Sequence, residues 1–145
     1  MKDILIVEDQ SSERERLLKL FGANGYSVES CESVTQAEQA LGVSKFRLAI
    51  LDIGLGDKSG SLLFHDLRRT GQVSYIIIFT GNPSVHLKQR FLSEGAVDYI
   101  VKGSSQAQSE KILSRIKEII GGSLSDAGVE GISLPEFLKS YIDAS

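Results

Sequence analysis

The chain has 145 residues, 41% of them hydrophobic and 24% charged, with a formal net charge of −3. That length suits one ordinary domain, able to bury roughly 70% of its unfolded-chain surface without disulfides or a structural metal. The charge gives no electrostatic footprint for nucleic acid, the single cysteine excludes both an internal disulfide and a thiolate metal cluster, and no apolar run reaches the roughly 18 residues of a membrane span.

Five strands are expected in chain order. Ile4–Val7, Leu48–Leu51, Ile76–Phe79 and Tyr99–Val101 are short, β-branched-rich runs, as parallel strands buried on both faces require. Val28–Cys31 contains Glu29 and Ser30 and fits an edge strand; Cys31 within it reads as a small core hydrophobe.

Helical patterns separate the runs. Leu17, Leu18 and Phe21 give the first helix its stripe; Ala37, Ala40 and Leu41 the second; Leu63, Phe64 and Leu67 the third; Leu87, Phe91 and Leu92 the fourth. Ile112, Leu113, Ile116, Ile119 and Ile120 mark a fifth at a 3.6-residue period. Ser12 with Glu15, Ser33 with Gln36 and Ser105 with Gln108 have capping-box spacing. Asn82–Pro83 is expected to cap the fourth helix and Gly95 to end it. Strands alternating with helices predict an α/β fold, a parallel sheet covered on both sides.

Gly121–Gly122 closes this pattern at about residue 120. Residues 121–145 read as a Gly/Ser linker and a short helix opened by Ser133 and Glu136, a tail rather than an independent domain. Part of the tail has the look of a calcium loop. Aligning Glu136 to its last position puts Ala127 and Val129 where oxygen ligands belong, so calcium is not expected. No output domain is visible, and the N-terminus lacks a signal-peptide pattern, so the expected address is the cytoplasm.

Ligands of open α/β sheets sit beyond the carboxyl ends of the strands. Glu8 and Asp9 follow the first strand, Asp52 ends the third, Thr80 follows the fourth, and Lys102 follows the fifth. Taken singly, each is an ordinary turn or surface residue; together they place three carboxylates, a hydroxyl and an ammonium on one rim. Crowded carboxylates call for a cation. Hard oxygen ligands with room for water suit Mg2+, and a carboxylate is a competent nucleophile toward phosphorus.

The segments Ile6–Asp9, Leu51-Asp52-Ile53 through Gly60, Phe79-Thr80-Gly81 and Gly95–Lys102 resemble the signature of the response-regulator receiver family over roughly residues 1–120. The resemblance implies a flavodoxin-like (βα)5 fold of strand order 2-1-3-4-5. It implies Asp52 as phosphoacceptor, with Mg2+ held by Glu8, Asp9, Asp52 and the Gly54 carbonyl. Lys102 would sit on the phosphoryl group, and Thr80 with Tyr99 would form a coupled switch. The donor would be a histidine kinase or a histidine phosphotransfer protein, and the output surface that of the fourth helix, fifth strand and fifth helix. Such a chain catalyses its own phosphorylation and dephosphorylation rather than metabolic turnover. It departs from the family at Gly56 and Gly103, where proline is usual. Without proline, the Lys102–Gly103 peptide is expected to be trans.

Other readings fit less well. A haloacid-dehalogenase-type phosphatase needs a second acid two residues after its nucleophile, where Gly54 stands. A flavodoxin-type flavin carrier would find its phosphate repelled by Glu8 and Asp9. The alternative from a different class is a receiver-like interaction module that is never phosphorylated.

Overall fold

The computed structural model describes residues 1–54, 59–103 and 106–122. Along them run β1 (Lys2–Val7), α1 (Ser11–Ala23), β2 (Val28–Cys31), α2 (Val34–Leu41), β3 (Phe46–Leu51), α3 (Gly60–Thr70), β4 (Val73–Thr80), α4 (Val85–Ser93), β5 (Asp98–Val101) and α5 (Gln106–Ile120). The strands form one parallel sheet in the order β2-β1-β3-β4-β5, the flavodoxin-like doubly wound arrangement, with β2 at an edge as its polar residues suggested.

Both parities of the central strands are apolar because both faces are covered. Leu5, Val7, Ala49, Leu51, Ile76 and Ile78 pack toward α2, α3 and α4. Ile4, Ile6, Leu48, Ile50, Ile77 and Phe79 pack toward α1 and α5, where Leu17, Phe21, Ile112 and Ile116 close the second core. Each expected helical stripe has buried residues, but Leu18, Leu87, Leu113 and Ile119 are only partly buried and Leu92 is 37% exposed.

Ser33 caps α2 as its spacing suggests, its hydroxyl accepting the Gln36 N–H at 3.1 Å. Two other expected caps are displaced. Ser12 lies inside α1, whose N-cap is Gln10 with no side-chain cap bond. The Gln10 N–H is held by the Glu8 carboxylate at 3.1 Å, which keeps Gln10 extended and starts the helix one residue before Ser12. Asn82 does not cap α4. Its Oδ1 accepts the Ser84 N–H at 3.1 Å, and Ser84 then accepts from Leu87 N–H as the true cap. Asn82 and Pro83 thus form the turn that delivers the cap, a competing use of a short polar side chain. α4 ends at Ser93 with Gly95 at φ +115°, a conformation that favours glycine. Among the described residues no peptide bond is cis, so Lys102–Gly103 is trans. Ser105, Gly56, the Ser133–Glu136 helix and the tail from residue 123 lie outside the described residues.

Cys31 is 3% exposed, and burial, helped by Glu29, pushes its thiol from 9.0 up to about 11. A thiol raised in the folded state is deprotonated first in the unfolded chain. Its contribution to stability is therefore complete below about pH 9 and is lost as pH climbs through about 11. At pH 8 the native thiol is expected to react with iodoacetamide far more slowly than the urea-unfolded thiol. Equal rates by intact-mass kinetics would contradict the buried placement.

At the opposite end of the sheet from the carboxyl rim, Asp3 is 1% exposed and faces Arg47 at 2.9 Å. Asp3 also accepts the Ser27 N–H at 2.9 Å. Arg47 donates onward to the carbonyls of Ile120 and, at 2.7 Å, Gly122, and the Tyr26 hydroxyl donates to Gly121. These bonds satisfy carbonyls that the end of α5 leaves open.

Candidate functional site

The rim residues are held in place by the sheet itself. Each ladder runs one bond past the end of its strand: Glu8 N–H donates to Cys31 at 2.9 Å, Asp52 N–H to Val7 at 3.1 Å, and Lys102 N–H to Thr80 at 2.8 Å. The first residues beyond β1, β3 and β5 therefore inherit strand geometry, and their side chains converge. Glu8 is 2% exposed, Asp52 6% and Thr80 3%, whereas Asp9 is exposed.

Lys102 Nζ bridges the two buried carboxylates, 2.8 Å from Asp52 Oδ2 and 2.6 Å from Glu8 Oε1. The Asp52 contact is an aligned hydrogen bond. The Glu8 contact is an ion pair without hydrogen-bond alignment, and Oε1, fully shielded from solvent, has no hydrogen-bond partner. Burial works against the lysine's charge, but Asp52 and Glu8 outweigh it and hold the ammonium above the ordinary lysine value. Burial raises the Glu8 carboxyl, with the Asp52 charge adding to it, against the opposing pull of Lys102 and the Gln10 N–H.

Asp52 Oδ1 accepts the Gly54 N–H at 3.0 Å. Asp52 is thus gripped on one oxygen by backbone and on the other by Lys102. Oxygens of Glu8, Asp9 and Asp52 lie within 4.8 Å of one another. Three hard oxygen donors, from a set that includes the buried Glu8 with its unaligned Oε1, fit a small divalent cation. Bound there, such an ion would neutralise the carboxylates and the charge of an incoming phosphoryl group.

Thr80 and Tyr99 meet on one residue. Thr80 Oγ1 accepts the Asn82 N–H at 3.4 Å, and the Tyr99 hydroxyl donates to the Asn82 carbonyl at 2.8 Å. The Tyr99 ring is 3% exposed, its centroid 6.2 Å from that of Phe91, and burial pushes its phenol up. The ring faces inward, where the Asn82 carbonyl gives its hydroxyl a partner.

Three contributors escaped sequence reasoning as site residues. Arg14 donates to the Glu8 carbonyl at 2.9 Å and pairs with Glu32 at 3.8 Å, bracing the loop after β1. Asn82 joins Thr80 to Tyr99, although in sequence it reads only as a cap. Gly60 opens α3 so close to the turn after β3 that a Cβ there would sit 2.4 Å from the Asp52 carbonyl and 2.8 Å from Ile53 Cα. Its place in the Asp52–Gly60 motif was visible; the reason for a glycine was not.

Comparison with known proteins agrees with this geometry. The model of the response regulator receiver domain matches residues 4–117. The chain is 29% identical over 132 residues to the transcriptional regulatory protein PmrA of Pectobacterium parmentieri, covering 90% of this chain and 60% of that protein. It is 34% identical over 120 residues to the two-component response regulator PhoP of Pseudomonas aeruginosa, covering 81% and 51%. The chain thus spans about half to three-fifths of the length of these relatives. Among solved structures, a CheY-like receiver domain protein from Methanospirillum hungatei JF-1 superposes with a TM-score of 0.69 at 28% identity, over 81% of this chain and 95% of that one. The response regulator TrrA of Thermotoga maritima, solved in complex with Mg2+-BeF, gives 0.66 at 26%, over 80% and 99%. With the strand order, the converging rim and the family match over most of its length in accord, the chain belongs to the response-regulator receiver family of two-component systems.

Proposed function

We propose that this receiver takes a phosphoryl group onto Asp52 from a phosphohistidine on a histidine kinase or phosphotransfer protein. Mg2+ would be held by Glu8, Asp9, Asp52 and the Gly54 carbonyl, and would supply the charge neutralisation that phosphoryl transfer needs. The observation that carries this reading is the grip on Asp52: a buried carboxylate with Oδ1 on the Gly54 N–H and Oδ2 on Lys102, beside two further acids. Its backbone and lysine contacts fix the orientation of the nucleophile, and Lys102 offers a cation to the arriving phosphoryl oxygens.

Thr80 supplies a hydroxyl to a phosphoryl oxygen. A rotation of Thr80 toward that oxygen would move the acceptor that its Oγ1 offers to Asn82, the residue that also holds Tyr99. The signal would pass to the surface of α4, β5 and α5 through that shared loop, by favouring one of two arrangements. The relatives are regulators about 1.5–1.6 times as long, so the output act belongs to protein contacts or to segments outside the receiver. A cytoplasmic address and partners other than nucleic acid for this domain fit the reading. Among the described residues, no helix is long and apolar enough to cross a membrane. The presence of Asp9, Asp52 and Lys102 supports this reading over the unphosphorylated module.

The test is incubation with acetyl phosphate or phosphoramidate, with and without Mg2+, followed by intact-mass measurement. A gain of one phosphoryl group that disappears with EDTA is expected. In parallel, Asp9→Asn is expected to weaken Mg2+ binding roughly tenfold, since the ion is held through few protein groups. No mass gain with either donor in saturating Mg2+ would end the phosphoacceptor reading. Identical Mg2+ titrations for the two proteins would remove Asp9 from the ligand set.

A further inference from the structure

Residues 133–143 lie outside the described residues, and their sequence carries a pattern that the function above does not use. Leu134, Phe137, Leu138 and Tyr141 recur at i, i+3, i+4 and i+7, while Glu136, Lys139, Ser140 and Asp143 recur at the same spacing on the opposite side of a helical wheel. A helix so divided needs an apolar surface against its stripe. Residues 123–145 also hold four acids and one lysine, a net −3 that is the net charge of the whole chain, so residues 1–122 are neutral. The described surface has a place that suits both properties. A groove of about 330 Å³ between α4 and α5, over β5, is lined by Val85, Ile100, Val101, Lys88 and Lys111 among others, and by no carboxylate. Val85 is 68% and Val101 37% exposed, and neither lysine has an ion-pair partner among the described residues. By contrast, Glu38 and Asp66 line the groove between α2 and α3, and Glu29, already paired with Lys2, lines the one beside β2.

We propose that residues 133–143 form a helix that docks in this groove on its own chain, with the apolar stripe against Val85 and Val101. Lys88 and Lys111 extend along its flanks, their stems on apolar surface and their charges toward the acids of the tail. The chain can make the return. Arg47 holds the Gly122 carbonyl and Tyr26 that of Gly121, and Gly121 at φ +69° turns the backbone off the axis of α5. From there residues 123–132 span up to about 33 Å when extended, whereas Lys111 stands only roughly 14 Å up α5 from Ile120. So short a tether keeps the helix at an effective concentration on the order of millimolar, and modest apolar contact then suffices to hold it. The helix covers the surface of α4, β5 and α5. That this is the output surface rests on the function proposed above, whereas the docking itself needs no phosphoryl group.

The test is a nitroxide spin label on Ser140→Cys in the full chain, read by paramagnetic broadening of backbone amides. Position 140 is on the polar side of the stripe, and the native Cys31 is buried and slow to label. Docking predicts strong loss of signal at Lys88, Val101 and Lys111, little at α2, and the same contrast at every protein concentration. Phe137→Asp, which puts a charge into the stripe, is expected to abolish the contrast and leave the remaining amide shifts unchanged. Broadening that is even over the surface, centred elsewhere, or unaltered by Phe137→Asp overturns the proposal. So does broadening passed from spin-labelled chains to isotope-labelled chains without the nitroxide, since that places the helix on a second copy. The mass gain with acetyl phosphate is measured on the same proteins. A gain without the contrast overturns the docking and leaves the phosphoacceptor reading standing, and the contrast without a gain does the reverse.

Discussion

Replacement of Asp52 by asparagine is expected to abolish phosphoryl incorporation entirely while leaving the fold intact. Asparagine has nearly the same volume, its carbonyl oxygen can still accept the Gly54 N–H that Asp52 Oδ1 accepts at 3.0 Å, and the sheet register through Asp52 N–H to Val7 is a backbone matter. What it lacks is an anionic oxygen able to attack phosphorus. It also removes one of the two carboxylates against Lys102, leaving Glu8 at 2.6 Å as that lysine's ion-pair partner in the cluster. The measurement is intact-mass analysis after acetyl phosphate treatment in Mg2+, with hydroxylamine lability as a check that the unsubstituted chain carries an acyl phosphate. Circular dichroism should be unchanged. Label that persists in Asp52→Asn and resists hydroxylamine would mean that another side chain is the acceptor.

The second large effect is one of stability and lies at the other end of the sheet. Arg47→Ala is expected to lower unfolding free energy by about 2–4 kcal/mol, somewhat under the usual cost of stripping one partner from a buried pair because Arg47 keeps some solvent access. Its guanidinium faces the Asp3 carboxylate at 2.9 Å, where Asp3 is 1% exposed, and caps the end of α5 through Ile120 and Gly122. The variant loses three contacts at once. Asp3 keeps its bonds to Ser27, so the loss falls chiefly on the charge and on α5. Urea unfolding should show a lower midpoint with little change in slope. Hydrogen exchange should speed up first in the last turn of α5, ahead of the sheet. A loss under about 0.5 kcal/mol, the scale of an exposed surface pair, would show that the network contributes nothing beyond solvated charges.

The two substitutions separate what the ends of the sheet do. At the carboxyl rim, charge is concentrated with a buried carboxylate oxygen left unaligned. At the other end, charge is buried and fully engaged in joining the sheet to α5. Either network alone could be taken from burial and ion pairing for a functional centre. The difference lies in the atoms left over: Glu8 Oε1 has no hydrogen-bond partner, whereas the Asp3 oxygens are taken up by Arg47 and Ser27.

Legible in the chain alone were the alternation of strands and helices, the edge position of β2, the end of the last helix before Gly121 and the rim residues Glu8, Asp9, Asp52, Thr80 and Lys102. These are local signals. Apolar runs and helical stripes repeat within a few residues, and the rule that ligands gather past strand ends turns five residues at or just beyond those ends into one candidate site once the sheet is parallel. Which polar groups pair emerges from the packed fold instead. Arg47 meets Asp3 across 44 positions and Ile120 across 73, and no pattern within a window of the chain encodes such partners. The same holds for Gly60, whose missing Cβ makes room for the Asp52 backbone, and for Asn82, drawn from an expected cap into the link between Thr80 and Tyr99. A short polar side chain has several local uses of nearly equal energy, and the packed neighbours choose among them.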